Sequence, residues 1–240
     1  MEKQFKVKLV IRRAPALAAL GWLKQSWQIF MQAPLVWVLM FITLMALALL
    51  SQLNPLLGIA AMLLSPFLTA GVYKAVVAVQ QKHTIDFSIL FSTFQEPDYR
   101  AVFIRLAALN LLASIPVSML AAILMEQHQQ QIIDPFTALA FAASAVLVWM
   151  VFAYAVAIAY FLKEQRLLNI MQASFTACWR NIVPLVVFGL LSIVLIMLTM
   201  PTMFIGLLLV VPLLNIAFFL SFNEFFALQV KAQDEGVLEV

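Results

Sequence analysis

All fourteen Lys and Arg residues of this chain fall in, or at the span ends that border, alternate gaps between its apolar runs. Six such runs leave seven hydrophilic pieces, and in a membrane consecutive pieces must lie on opposite sides. One alternating set carries Lys3, Lys6, Lys8, Arg12, Arg13 and Lys24; Lys74, Lys82, Arg100 and Arg105; Lys163, Arg166 and Arg180; and Lys231. The other set carries none. Short basic flanks resist translocation, so the basic set is expected in the cytoplasm, with both chain ends.

Composition demands the membrane in the first place. Apolar residues make up 65% of the 240, against about 45–50% in soluble proteins. A soluble core cannot absorb that much apolar surface, and lipid is the solvent that can. The net charge of +3 sits on the basic flanks, where topology and anionic headgroups account for it. No nucleic-acid partner is called for. The single cysteine, Cys178, excludes an internal disulfide and a cysteine-based metal cluster. Residues 1–33 are too long and amphipathic for the basic segment of a cleaved signal, so the first span reads as an uncleaved signal anchor.

The spans are expected at 35–51, 56–79, 101–125, 136–162, 183–199 and 202–228, near the length of about 20 residues that a bilayer needs. Gln52-Leu53-Asn54-Pro55 separates the first pair as a turn. The Gln-rich 126–135 separates the second, and Thr199-Met200-Pro201-Thr202 breaks the uncharged stretch of the third. Three amphipathic segments precede the hairpins. In 166–181, Asn169, Gln172, Thr176 and Arg180 share a polar sector opposite Leu167, Ile170, Met171, Phe175, Cys178 and Trp179. In 15–32, Lys24, Gln25, Gln28 and Gln32 oppose Leu20, Leu23, Trp27 and Phe30. The segment 85–94 is less regular: Phe87, Leu90, Phe91 and Phe94 cluster, but Ile85 and Ile89 stray. Helices of this kind lie in the headgroup plane. The expected fold is an all-α integral membrane protein with six transmembrane helices in three hairpins, each preceded by an interfacial helix. It forms one domain, 1–240, of repeat-like units 15–80, 85–162 and 166–229, with cytoplasmic tails 1–14 and 229–240.

The order Gly21-Trp22-Leu23, Phe30, Pro34, then Pro55 and Leu64-Ser65-Pro66-Phe67-Leu68-Thr69-Ala70-Gly71 resembles an uncharacterised family of proteobacterial six-span inner-membrane proteins. It is also distantly similar to the membrane domain of some glycerophosphodiester phosphodiesterases, whose catalytic domain is missing here. The resemblance covers most of the chain, most clearly 15–110. It implies a bacterial inner-membrane location and supplies no catalytic residue.

Chemistry-bearing motifs are scarce. His83 and His128 fall on opposite sides and read as solvated loop residues, and no metal-ligand spacing surrounds either. No Walker loop, dinucleotide fingerprint or nucleophile elbow occurs. Asp86, Glu96 and Asp98 read as a helix start and a turn. No catalytic, cofactor or metal residue is therefore assigned, and an enzyme is not expected. Two groups stand out. Lys74, Arg105 and Glu224 approach the inner ends of their spans, where a Glu224 pair with one of the bases is expected. Asn110 and Asn215 lie deeper, with Pro66, Pro116 and Pro212 kinking their helices. The expected function is a non-enzymatic accessory, assembly or scaffold protein of the bacterial cell envelope. Its partners would be the bilayer and a membrane protein or a second copy. The alternative is a small transporter or channel with a site near Pro66, Asn110, Pro212 and Asn215. A polar cavity lined by Asn110 or Asn215 is what separates the two. The topology has its own test: reporter fusions after Asn54, Gln129 and Thr202 should all report the outer compartment, and a cytoplasmic signal from Gln129 would overturn it.

Overall fold

The computed structural model describes residues 6–231, with 6–10 and 227–231 described as backbone only. Its order is β1 (Lys6–Ile11), α1 (Ala18–Phe30), α2 (Pro34–Leu50), α3 (Pro55–Gln80), a 3-10 helix (Phe87–Gln95), α4 (Pro97–Gln129), α5 (Pro135–Phe152), α6 (Ala155–Phe161), α7 (Leu167–Arg180), α8 (Ile182–Met197), a short 3-10 turn (Met200–Thr202), α9 (Leu207–Phe225) and β2 (Phe226–Lys231). Five helices are long and apolar enough to cross a bilayer, counting α5 and α6 together. A sixth crossing follows if α1 and α2, bent by 106° at their junction, are taken as a pair. The chain is thus a multi-pass, helical membrane protein.

Local chemistry sets the helix starts. Pro opens α2, α3, α4 and α5, where its missing N–H is no loss and its fixed φ suits the first turn. Asn54 caps α3 through the Leu56 N–H, and Asp134 caps α5 through the N–H groups of Phe136 and Thr137. The Thr137 hydroxyl and these amides hold the Asp134 carboxyl below the usual carboxylate range.

The fold is not purely helical. β1 and β2 pair antiparallel from Lys6↔Lys231 to Ile11↔Phe226, tying the two chain ends together at one end of the bundle. The expected tails 1–14 and 229–240 therefore begin in strand pairing where they are described; residues 1–5 and 232–240 lie outside the described residues. Asn181 locks this end. Its Oδ1 accepts from the Ala14 N–H, and its Nδ2 donates to the Arg12 carbonyl.

α9 forms the pillar of the core, with buried residues from Val210 to Phe225. In the other long helices burial concentrates toward the basic end: Trp37, Met40 and Phe41 of α2, Pro66 to Val79 of α3, and Val102 to Ala107 of α4. The most apolar 18-residue stretch of α4 has none of its residues buried within the chain.

The amphipathic helices have three faces rather than two. α7 buries Ile170, Ser174, Ala177 and Cys178 against the bundle, so Ile170 and Cys178 face protein, not lipid. Leu168 and Trp179 form a separate exposed apolar strip, flanked by exposed Asn169, Gln172 and Arg180. α1 divides likewise, with Trp22, Ser26 and Ile29 inward and Leu20 and Trp27 exposed. The segment expected as a third such helix is the 3-10 helix Phe87–Gln95, packed onto α3. Three residues per turn align Phe87, Leu90 and Thr93, which is why Ile85 and Ile89 strayed from a 3.6-residue pattern. Thr93 donates to the Phe67 carbonyl, and Phe94 stacks on Phe67.

This docking needs Gly71, where an added Cβ would overlap the Leu90 carbonyl backbone. Gly71→Ala should lower stability in detergent by about 1–3 kcal/mol through overpacking. Gly189→Ala, with nothing within 4 Å of its added carbon, should not. Equal effects of the two on the melting temperature would refute the close approach.

Candidate membrane-embedded cavity

Two irregularities in the helices, and one face of α4, meet around one cavity of about 300 Å³. On α3, Pro66 has no N–H to offer the carbonyl of Met62, and Met62, Ser65, Pro66 and Thr69 face the space. On α4, Leu106, Ala107 and Asn110 face it one turn apart. The third wall is the junction of α5 and α6, through Phe152, Ala153, Ala155 and Val156.

That junction lies inside what the sequence reads as one uninterrupted span, 136–162. A single hydroxyl accounts for it. Ser174 of α7 accepts from the Tyr154 N–H at 3.1 Å and donates to the Met150 carbonyl at 2.9 Å. In an unbroken helix those two groups would bond to each other, because they are four residues apart. An inserted side chain of this kind bends a helix while giving partners to the two backbone groups it separates. Tyr154 is also fixed by its own hydroxyl, 2.7 Å from Ser221 Oγ on α9.

Toward the basic end the helices that wall the cavity meet through aromatic contacts. Tyr99 and Phe103, preceding Leu106 on α4, stack at 6.0 Å, and Tyr99 meets Tyr160 at 4.7 Å. Phe103 meets Phe67 edge-on at 5.2 Å. Beyond this aromatic layer Lys74 Nζ pairs with Glu96 Oε1 at 2.7 Å, and the Tyr160 hydroxyl donates to the same oxygen at 3.0 Å. Toward the other end Ser65 is exposed.

The expected charge cluster is divided by this arrangement. Lys74 faces Glu96 at the start of α4, not Glu224. Glu224 belongs to α9, whose last turns pack against α1, and its Oε2 accepts from the Trp22 indole N–H. Arg105 points outward, exposed, with no hydrogen-bond or ion-pair partner among the described residues. The deep polar pair separates as well. Asn110 lines the cavity, whereas Asn215 is exposed and donates to the Val211 carbonyl, one turn back on α9. With Pro212, Trp37 and Val72 it borders a second void of only about 20 Å³, space for no more than about one water. Ser65, Thr69 and Ser174 shape the site and were not assigned to it from sequence, and Glu96, read there as part of a turn, pairs with Lys74. Ser65 and Thr69 do stand one helical turn apart beside Pro66, which is the one local signal available.

No protein-family model, curated protein or solved structure matches the chain.

The inserted hydroxyl has a measurable weight. Ser174→Ala should cost about 1–3 kcal/mol, the penalty for leaving a buried donor or acceptor unpaired. Ser192→Ala, which removes a hydroxyl bonded only to its own helix, should cost far less. Comparable melting temperatures for the two variants would mean that α5 and α6 join without help from Ser174.

Proposed function

We propose that this chain is a multi-pass protein of the bacterial cytoplasmic membrane, with both ends in the cytoplasm, that holds a small solute in the α3–α4–α5/α6 cavity as a transporter or channel-class protein. The observation that supports it is the cavity itself. Irregular backbone at membrane depth is tolerated where it is buried in protein or lines an aqueous space, and interrupted helices are a recurring element of transport sites. Thr69 lies five residues before Lys74, about 8 Å along the helix, and Met62 about 18 Å. The space thus runs from just above the ion pair toward mid-bilayer. Its closure by aromatic rings and the Lys74–Glu96 pair on one side, with exposed Ser65 on the other, suits access from one side at a time. The alternating basic flanks support the orientation.

The accessory or scaffold reading has its own support in α4, whose apolar stretch finds no cover within the chain. Lipid or a partner helix would cover it equally well.

Cysteine accessibility separates the two. In a Cys178→Ser background, Val156→Cys and Met62→Cys should react with a membrane-impermeant methanethiosulfonate reagent added to the outer face, and react much more slowly from the inner face. Inertness of both positions from both faces would remove the transport reading. A stoichiometric membrane partner captured by crosslinking of that same inert protein would then favour the scaffold.

A further inference from the structure

The Ser, Thr and Asn side chains that line the cavity differ from most of those elsewhere on the long helices in how their hydrogen bonds are spent. Thr43, Ser114, Ser118, Ser144, Ser192 and Ser221 each donate to a carbonyl of the preceding turn of their own helix. Asn215 does the same. Such local back-bonding is the ordinary way for a short polar side chain to satisfy itself on a membrane helix. Ser65, Thr69 and Asn110 make no side-chain hydrogen bond among the described residues, and all three line the cavity. Ser65 is exposed and Thr69 and Asn110 are half-buried, so their unspent donors and acceptors are open to the space, where hydrocarbon would offer them no partner.

What enters is constrained by charge and size. Among the described residues, no Lys, Arg, His, Asp or Glu lines the cavity. The nearest ionic groups of α3 and α4, Lys74 and Glu96, are spent on each other behind the aromatic layer. Burying an ion among a carboxamide, two hydroxyls and apolar walls costs far more than those groups return. A neutral molecule with several hydrogen-bonding groups meets the opposite balance. The Asn110 carboxamide offers two donors and an acceptor, and each hydroxyl offers one donor and accepts as well. A volume of about 300 Å³ corresponds to on the order of ten waters at liquid density, or a solute of similar heavy-atom count.

We propose that the cavity is a binding site for a small uncharged polar solute of the polyol, sugar-alcohol or amide class, hydrogen-bonded by Ser65, Thr69 and Asn110. The proposal rests on the cavity being a solute site and adds the chemistry of the ligand.

The test uses the full chain with Val156→Cys as reporter, because that substitution lines the cavity without removing a polar partner. Labelling by the impermeant thiol reagent is timed in the presence of glycerol, xylitol or urea, of lysine or potassium, and of glutamate or inorganic phosphate. Neutral solutes, and only these, should slow labelling several-fold. The protection should vanish in Asn110→Leu and weaken in Thr69→Val and Ser65→Ala, the milder pair that guards against a misfolded Asn110 variant. Protection by a cation or anion, or labelling unaffected by every neutral solute, would overturn the ligand class while leaving an accessible cavity in place. A Val156→Cys that never labels defeats the cavity reading beneath it. Neutral protection that persists in all three variants would move the site elsewhere in the chain.

Discussion

A peptide N–H or C=O inside a bilayer has no water to turn to, and that constraint organises the molecule. It makes nearly every membrane-depth residue helical and sends Pro to helix starts, where a donor is not needed. Where the helical ladder fails, something must repair it. At the α5–α6 junction the repair is the Ser174 hydroxyl, set between the Tyr154 N–H and the Met150 carbonyl. Because Ser174 comes from α7, the shape of the cavity wall is coupled to a helix on the basic side of the bundle. Movement of α7 would release both backbone groups at once.

Burial follows a second logic. Around α9 the core is dense with aromatic contacts: Tyr73 stacks on Phe219 at 4.5 Å, Tyr154 on Phe218 at 4.9 Å, and Trp22 meets Phe225 edge-on at 5.5 Å. Farther from the basic end, α4 and much of α5 present their apolar side chains outward. In water such a distribution would be untenable. In lipid it costs little, because acyl chains and Leu side chains are equivalent surroundings and helix association draws on packing and polar contacts instead. Packing within the described residues is thus concentrated at one end.

The charges are placed to match. Glu224, Lys74 and Glu96 all sit at the basic end, each satisfied by a neighbour: an indole N–H, a carboxylate, and an ammonium with a phenol. No ionic side chain lines the cavity. A membrane site without charge avoids a large desolvation cost and at the same time disfavours ions.

From sequence alone, the membrane class, the approximate helix limits and the amphipathic character of 166–181 could all be read, because hydropathy and periodicity are local quantities. Pro66 likewise announced a missing rung in the ladder of its helix, since its lack of an N–H is a covalent fact. Other features depended on partners far along the chain. The α5–α6 break carries no Pro or Gly between Met150 and Ala155; it exists because a hydroxyl some twenty residues later, Ser174, reaches it. The 3-10 helix was concealed by its three-residue period and is held by Gly71 and Phe67 of α3. Lys74 chose Glu96 over Glu224 because α9 turns its last carboxylate toward α1. The strand pairing of residues 6–11 with 226–231 joins segments that only the bundle brings to one end. Hydropathy decides which residues leave water, but which of them then meet is a matter of packing angles between helices, and no single segment carries that information.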